Sequence, residues 1–227
     1  MKKFLTALLV LGLAANQSLK AQTDCSTYYP ISDGAKFEIS LYSNKMKKEG
    51  KVVYAVKNDD GDKVLYTMEM FDKKDKSLGE STYGMQCEDD GVSIDFKSLM
   101  NSGMTRQYGD MEVDITGNNI YLPNNLSVND VLPDASMELS VTGAPIAMKT
   151  TINMVDRTVI GEEEITTPAG TFKCVILTYT TEIKMGIKSQ GYTKQWLAKN
   201  VGMVKTEDYN KKGGKLRSIS LLTSYEQ

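Results

Sequence analysis

The chain has 227 residues, 41% of them hydrophobic, 25% charged and 8% aromatic, a balance that excludes a disordered or collagen-like polymer. Lysine and arginine total 27 against 29 aspartates and glutamates, so the formal charge of −2 offers no field able to hold a nucleic-acid backbone. No histidine is present, which removes Ser-His-Asp and Cys-His catalysis together with imidazole zinc sites, and neither a metal nor a cofactor is expected.

Residues 1–21 open with Lys2 and Lys3, run through the apolar stretch from Phe4 to Ala15 and pass Asn16 to Lys20 before Ala21. That is the pattern of a secretory signal peptide, with cleavage expected near Ala21. Its apolar core of about 12 residues falls short of the roughly 20 that a membrane-crossing helix needs, and no later segment is longer, so no transmembrane segment is expected. Acylation of Cys25 is disfavoured, because Thr23 and Asp24 stand where a lipobox wants small residues. Residues 22–227 are expected to form one antiparallel β domain, periplasmic or secreted, with 24 basic groups against 29 acidic ones.

An oxidising compartment makes one disulfide and one spare thiol the natural use of Cys25, Cys87 and Cys174. Cys25 lies on a tail that needs tying down, and Cys87 ends a strand before Glu88-Asp89-Asp90-Gly91, so these two are the expected pair. Cys174, in an apolar strand between Phe172 and Ile176, reads as an inert buried thiol, with no neighbouring cysteine or histidine to lower its pKa.

Beyond the leader the governing pattern is period two. Apolar residues alternate in Phe37-Ile39-Leu41, Val52-Tyr54-Val56, Val64-Tyr66-Met68-Met70, Val92-Ile94-Phe96, Met111-Val113-Ile115, Met137-Leu139-Val141, Ile146-Met148-Thr150-Ile152-Met154 and Ile219-Leu221-Thr223-Tyr225. Polar residues fill the places between, so each segment has one dry and one wet face, as a half-buried strand does. Helical spacing is confined to a short turn at 97–101. Turn clusters at 59–62, 89–91, 117–119, 168–170 and 211–214 separate the strands, and links this short imply antiparallel hairpins. The expected fold is all-β: about ten to twelve strands in a curled antiparallel sheet, a half-open or closed β-barrel, with at most one or two short helices. Residues 117–134, rich in Asn and carrying Pro123 and Pro133, read as a loop wrapping an edge or rim of that domain.

The acidic turn at 58–62 has the composition of a calcium loop but not its register. With Gly61 in sixth place, Val56 falls at the first ligand position and Thr67 at the twelfth, where a bidentate Glu belongs. Glu162 and Glu164 share one strand face and Glu163 takes the other; without aromatic platforms around them, a charge guard on an edge strand explains them better than glycoside hydrolysis. No Ser-Lys dyad, nucleophile elbow or phosphate-cradling glycine loop is marked, and no enzyme is expected. Of the 13 methionines, Met68, Met70, Met111, Met137, Met148 and Met154 fall on dry faces. Flexible thioethers suit a hollow for acyl chains and equally suit plain core filling.

The C-terminal part carries an ordered set: Ile165-Thr166-Thr167-Pro168-Ala169-Gly170-Thr171-Phe172, then Gln195-Trp196-Leu197-Ala198, Val201-Gly202-Met203-Val204-Lys205, Gly214-Lys215 and a final strand. With Tyr29-Pro30, Cys87 before its acidic turn and Leu132-Pro133-Asp134-Ala135, it resembles the TapB-like family of exported bacterial proteins of unknown function. The resemblance implies a curled sheet similar to that of the LolA, LolB and LppX group of envelope carriers, a half-open barrel around an apolar cavity, and it brings no catalytic or binding residues with it. On this reading the concave face takes a lipid, acyl chain or other apolar ligand. The residues placed along the hollow are Tyr66, Met68, Met70, Leu139, Met148, Ile152, Met154 and Trp196, the last either plugging one end of the barrel or lining its mouth. The alternative is an envelope interaction module with a self-filled core, whose sheet edge or rim loops meet another protein.

Overall fold

The computed structural model describes residues 25–58, 63–100, 112–143 and 148–226. The leader with its cleavage point, Met111, Ile146 and the acidic turn at 59–62 lie outside the described residues. Among the described residues thirteen strands form one antiparallel sheet that curls strongly without closing into a barrel. β1 (Lys36–Ser43), β2 (Lys48–Asn58), β3 (Lys63–Asp72), β4 (Ser77–Cys87) and β5 (Gly91–Ile94) make one meander, followed by a single helical turn at Ser98–Met100. Two short strands come next, β6 (Glu112–Gly117) and β7 (Ile120–Pro123). A second meander runs through β8 (Ala135–Thr142), β9 (Met148–Thr167), β10 (Gly170–Met185), β11 (Ile187–Ala198), β12 (Gly202–Tyr209) and β13 (Leu216–Glu226). β13 pairs with β1 and joins the two.

Alternation puts the dry faces of both meanders on the inside of the curl. Ile39, Val64, Tyr66, Met85, Val92, Val159, Leu197 and Leu222 are all buried in one cluster. Cross-strand partners there stack as rings: Phe37 on Tyr54 at 4.5 Å and Tyr66 on Tyr83 at 5.1 Å. An aromatic ladder across four neighbouring strands holds their register.

The two edges of the sheet, β6 and β7, are consecutive in sequence. β6 pairs with β8, and after Asn118 and Asn119 the chain pairs as β7 with β5, on the opposite edge. The three residue steps between Gly117 and Ile120 span at most about 11 Å, so the edges meet. The chain from Glu112 to Pro123 is in effect one strand that hands its hydrogen bonds from one edge to the other halfway along. Asn118 fastens this seam, accepting from the Ser136 N–H at 2.6 Å and donating to the Asp134 carbonyl at 3.0 Å. Glycine is required on both sides: a Cβ at Gly117, whose φ is 144°, would stand 2.2 Å from the Ser136 oxygen, and one at Gly91 would stand 2.4 Å from that of Leu122.

The stretch 117–134 is therefore not loop throughout. Ile120-Tyr121-Leu122 is too short an apolar run to show a period, and it becomes a strand because an edge lies beside it. Farther on, the chain binds the flank of β9 beyond the end of β8. Asn129 donates to the Val159 carbonyl, Val159 to that of Asp130, and Leu132 to that of Arg157.

The Cys25–Cys87 disulfide ties the N-terminal segment to the end of β4, and Cys174 is a free buried thiol. Thr27 N–H donates to Asn124 Oδ1, Asn200 N–H to the Thr27 carbonyl, and the Tyr66 hydroxyl to the Pro30 carbonyl. The segment thus crosses one end of the curl, with Tyr28 buried beneath it.

Candidate functional site

Midway along β9 the alternation breaks. Asp156 adopts a φ of 54°, and the register against β10 slips between Thr178 and Thr180. A bulge of this kind re-aims the side chains beyond it, and Met154 and Arg157, an odd number of residues apart, line the same cavity. Arg157 is only 1% exposed. Its Nη1 donates to the Pro133 carbonyl at 2.6 Å and its Nη2 to the Tyr121 carbonyl at 2.8 Å, so the guanidinium spans the seam where β7 and β9 flank each other without pairing. Nε has no partner, and among the described residues no carboxylate stands within salt-bridge range of it. Burial pulls the Arg157 pKa below its ordinary value while Tyr29, Tyr179 and Asp134 push it back; a guanidinium stays a cation throughout.

Arg157 faces a cavity of about 180 Å³ inside the curl. Ile94, Leu99, Ile120 and Leu122 from the seam side and Met154, Leu177 and Leu197 from β9 to β11 line it, together with Tyr29, Tyr83, Tyr179 and Gln195. Burial raises the pKa of the Tyr29 and Tyr179 phenols further above neutral pH, and each has a side-chain partner, Gln195 for Tyr29 and Thr193 for Tyr179. Mostly apolar walls with a few convergent polar groups are the usual make-up of a small-molecule site.

Of the eight residues placed along a hollow from sequence, Met154 lines this cavity. Tyr66 and Met68 pack in the main core beside it. Ile152 joins Phe96, Ala135 and Met137 in a smaller cluster near the seam. Leu139 is buried in the far half of β8, while Met70 and Met148 are exposed. Trp196 lies on the opposite face of the sheet from Leu197, clustered with Cys174, Ala198 and Val204; its indole N–H donates to Glu163 at 2.8 Å and Lys205 stands over its ring at 4.4 Å. Arg157 and Tyr179 escaped the sequence reading, and Tyr29 and Gln195 entered it only through the family resemblance, not as lining of a hollow. Counting by twos from Met154 leaves Arg157 on the wet face, and only the bulge turns it inward.

A larger groove of about 760 Å³ runs where Tyr28 meets Glu162, Glu164, Lys173 and Lys199. Among the described residues β9 pairs here with β10 alone, so these exposed carboxylates stand on a free edge, as a charge guard would.

Among curated proteins no relative matches this chain. Two solved structures share the fold over 89% of this chain and all of theirs. One is a protein of Bacteroides fragilis NCTC 9343 inferred to be exported, with a YmcC-like fold, at 22% identity and a TM-score of 0.70. The other is a protein of Parabacteroides distasonis ATCC 8503 inferred to be a lipoprotein, at 24% identity and a TM-score of 0.72. Identities this low speak for the fold alone. A family model matches residues 32–222, nearly the whole described sheet, and by that match the chain belongs to the DUF3108-like family.

Proposed function

We propose that this protein is a non-enzymatic exported component of the cell envelope that binds an apolar ligand inside its curled sheet. The observation that carries the reading is the cavity between the seam and the β9–β11 wall, lined by aliphatic side chains from both meanders. Export is supported by the pattern of residues 1–21 and by the exported and lipoprotein character ascribed to the two structural relatives. The resemblance to the TapB-like family and to the LolA, LolB and LppX carriers leans the same way, by fold analogy only. An engineered cavity of roughly 150 Å³ accepts benzene, so about 180 Å³ takes one ring or a short stretch of chain.

Native mass spectrometry of protein purified without denaturant, followed by organic extraction, tests this. The expected result is a stoichiometric apolar adduct that leaves on extraction. A bare chain that also fails to bind added hexanol would remove the ligand-binding reading. That would leave the envelope interaction module, which the β10–β11 hairpin favours: Met185 and Ile187 at its tip are 63% and 87% exposed, between Lys184 and Lys188.

A further inference from the structure

Resting on that reading, we propose that the ligand is a monocarboxylate with a compact apolar body, and that Arg157 is the residue that binds its head. A guanidinium carries five N–H donors, and here two backbone carbonyls receive the bonds from Nη1 and Nη2. The Nε donor is buried without a partner, and the positive charge has no carboxylate in contact among the described residues. Buried unsatisfied donors and unpaired buried charges are both costly, and native proteins keep few of them without a use.

A neutral apolar guest would cover the aliphatic walls and leave that cost in place. A carboxylate cancels the charge from the cavity and, once the side chains over Nε shift aside, accepts a charge-assisted hydrogen bond from it. The Tyr29 phenol and Gln195 amide are paired with each other and the Tyr179 phenol with Thr193, which leaves Arg157 as the unpaired donor at this space, and none of the described lining residues is an acid that would repel an anion. Asp134 already offsets part of the Arg157 charge from outside contact range, so a singly charged carboxylate suits the site better than a doubly charged phosphate. The cavity volume of about 180 Å³ suits a body the size of a benzene ring or a short chain.

Arg157 also holds the Tyr121 and Pro133 carbonyls at the seam, so the test must separate holding from binding. Titration calorimetry at pH 7 with two matched pairs does so: benzoate against benzyl alcohol, and hexanoate against hexanol. Each pair keeps shape and changes charge. The expected result is that the full chain binds each acid at least about tenfold more tightly than its alcohol, the margin of a hydrogen bond to a charged group. Arg157→Met is expected to lose that preference while still binding the alcohols, and Arg157→Lys to keep part of it.

Equal binding of acid and alcohol by the unaltered protein overturns the assignment of Arg157 and leaves the apolar cavity standing. Binding of neither removes both readings, with water the cavity's only guest. If Arg157→Met does not fold, the acid-to-alcohol ratio of the unaltered protein and of Arg157→Lys decides the matter.

Discussion

Cys174 and Glu163 are register partners on β10 and β9, and the thiol is nearly sealed from water. Burial, with a smaller push from the Glu163 charge, raises its pKa from 9.0 to about 11. Below pH 9 both folded and unfolded chains hold this proton. Between 9 and 11 the unfolded chain gives it up first, so stability falls as pH climbs, by up to about 1.4 kcal/mol per pH unit from this group. Urea unfolding at a series of pH values is expected to show a shallower slope over that window for Cys174→Ala than for the unaltered chain; identical slopes would refute the shift. That this thiol is free and buried was legible in sequence, because burial needs only an apolar neighbourhood. Arg157 was not legible. Its neighbours Val155 and Val159 place it in an apolar stretch, but whether it points in or out depends on the backbone at Asp156, whose side chain does not announce a left-handed conformation.

The same limit holds for whole elements. Read by twos, Ile219-Leu221-Thr223-Tyr225 is the dry face of β13. The structure instead buries Leu222 fully, opposite Ile39, while Leu221 is half-exposed. Thr223 turns away to donate to Glu38 at 2.8 Å and pairs with Ser40 at 3.2 Å. The cause is the register shift between Glu38 and Ile39, which changes the parity of everything it separates. Leu222→Ala is therefore expected to cost about 2–5 kcal/mol and Leu221→Ala less than about 1, read as urea midpoints at constant slope. The reverse order would restore the simple alternation. Stretches clear of such a shift, such as Val52-Tyr54-Val56 and Met137-Leu139-Val141, turn inward the residues that alternation selects, with Tyr54 half-buried against the core, because there pleat and pairing agree.

At the scale of the whole molecule, the curl is held by three ties of different kinds: the β1–β13 pairing, the seam strand with Asn118, and the disulfide. The disulfide closes a separation of 62 residues, for which the chain-entropy model gives a stabilisation of about 4 kcal/mol. Replacing both Cys25 and Cys87 by alanine is expected to lower stability by up to that amount and to raise hydrogen exchange across the N-terminal segment. A double variant as stable as the parent would show that the segment is held by its hydrogen bonds to Asn124 and Asn200 instead. The sequence by itself determined that the chain is all-β and antiparallel, and it pointed to Cys25 and Cys87 as the pair that the structure joins. Those features rest on period-two patterning, turn chemistry and the placing of a loose tail, all of which act over a few residues. Only the tertiary structure decided that the sheet curls without closing, that its two edge strands run on from one another through Asn118 and Asn119, and that an arginine lines the inner cavity. Those outcomes depend on pairings between distant segments and on single-residue bulges, each of which reverses the facing of a strand without leaving a mark in composition.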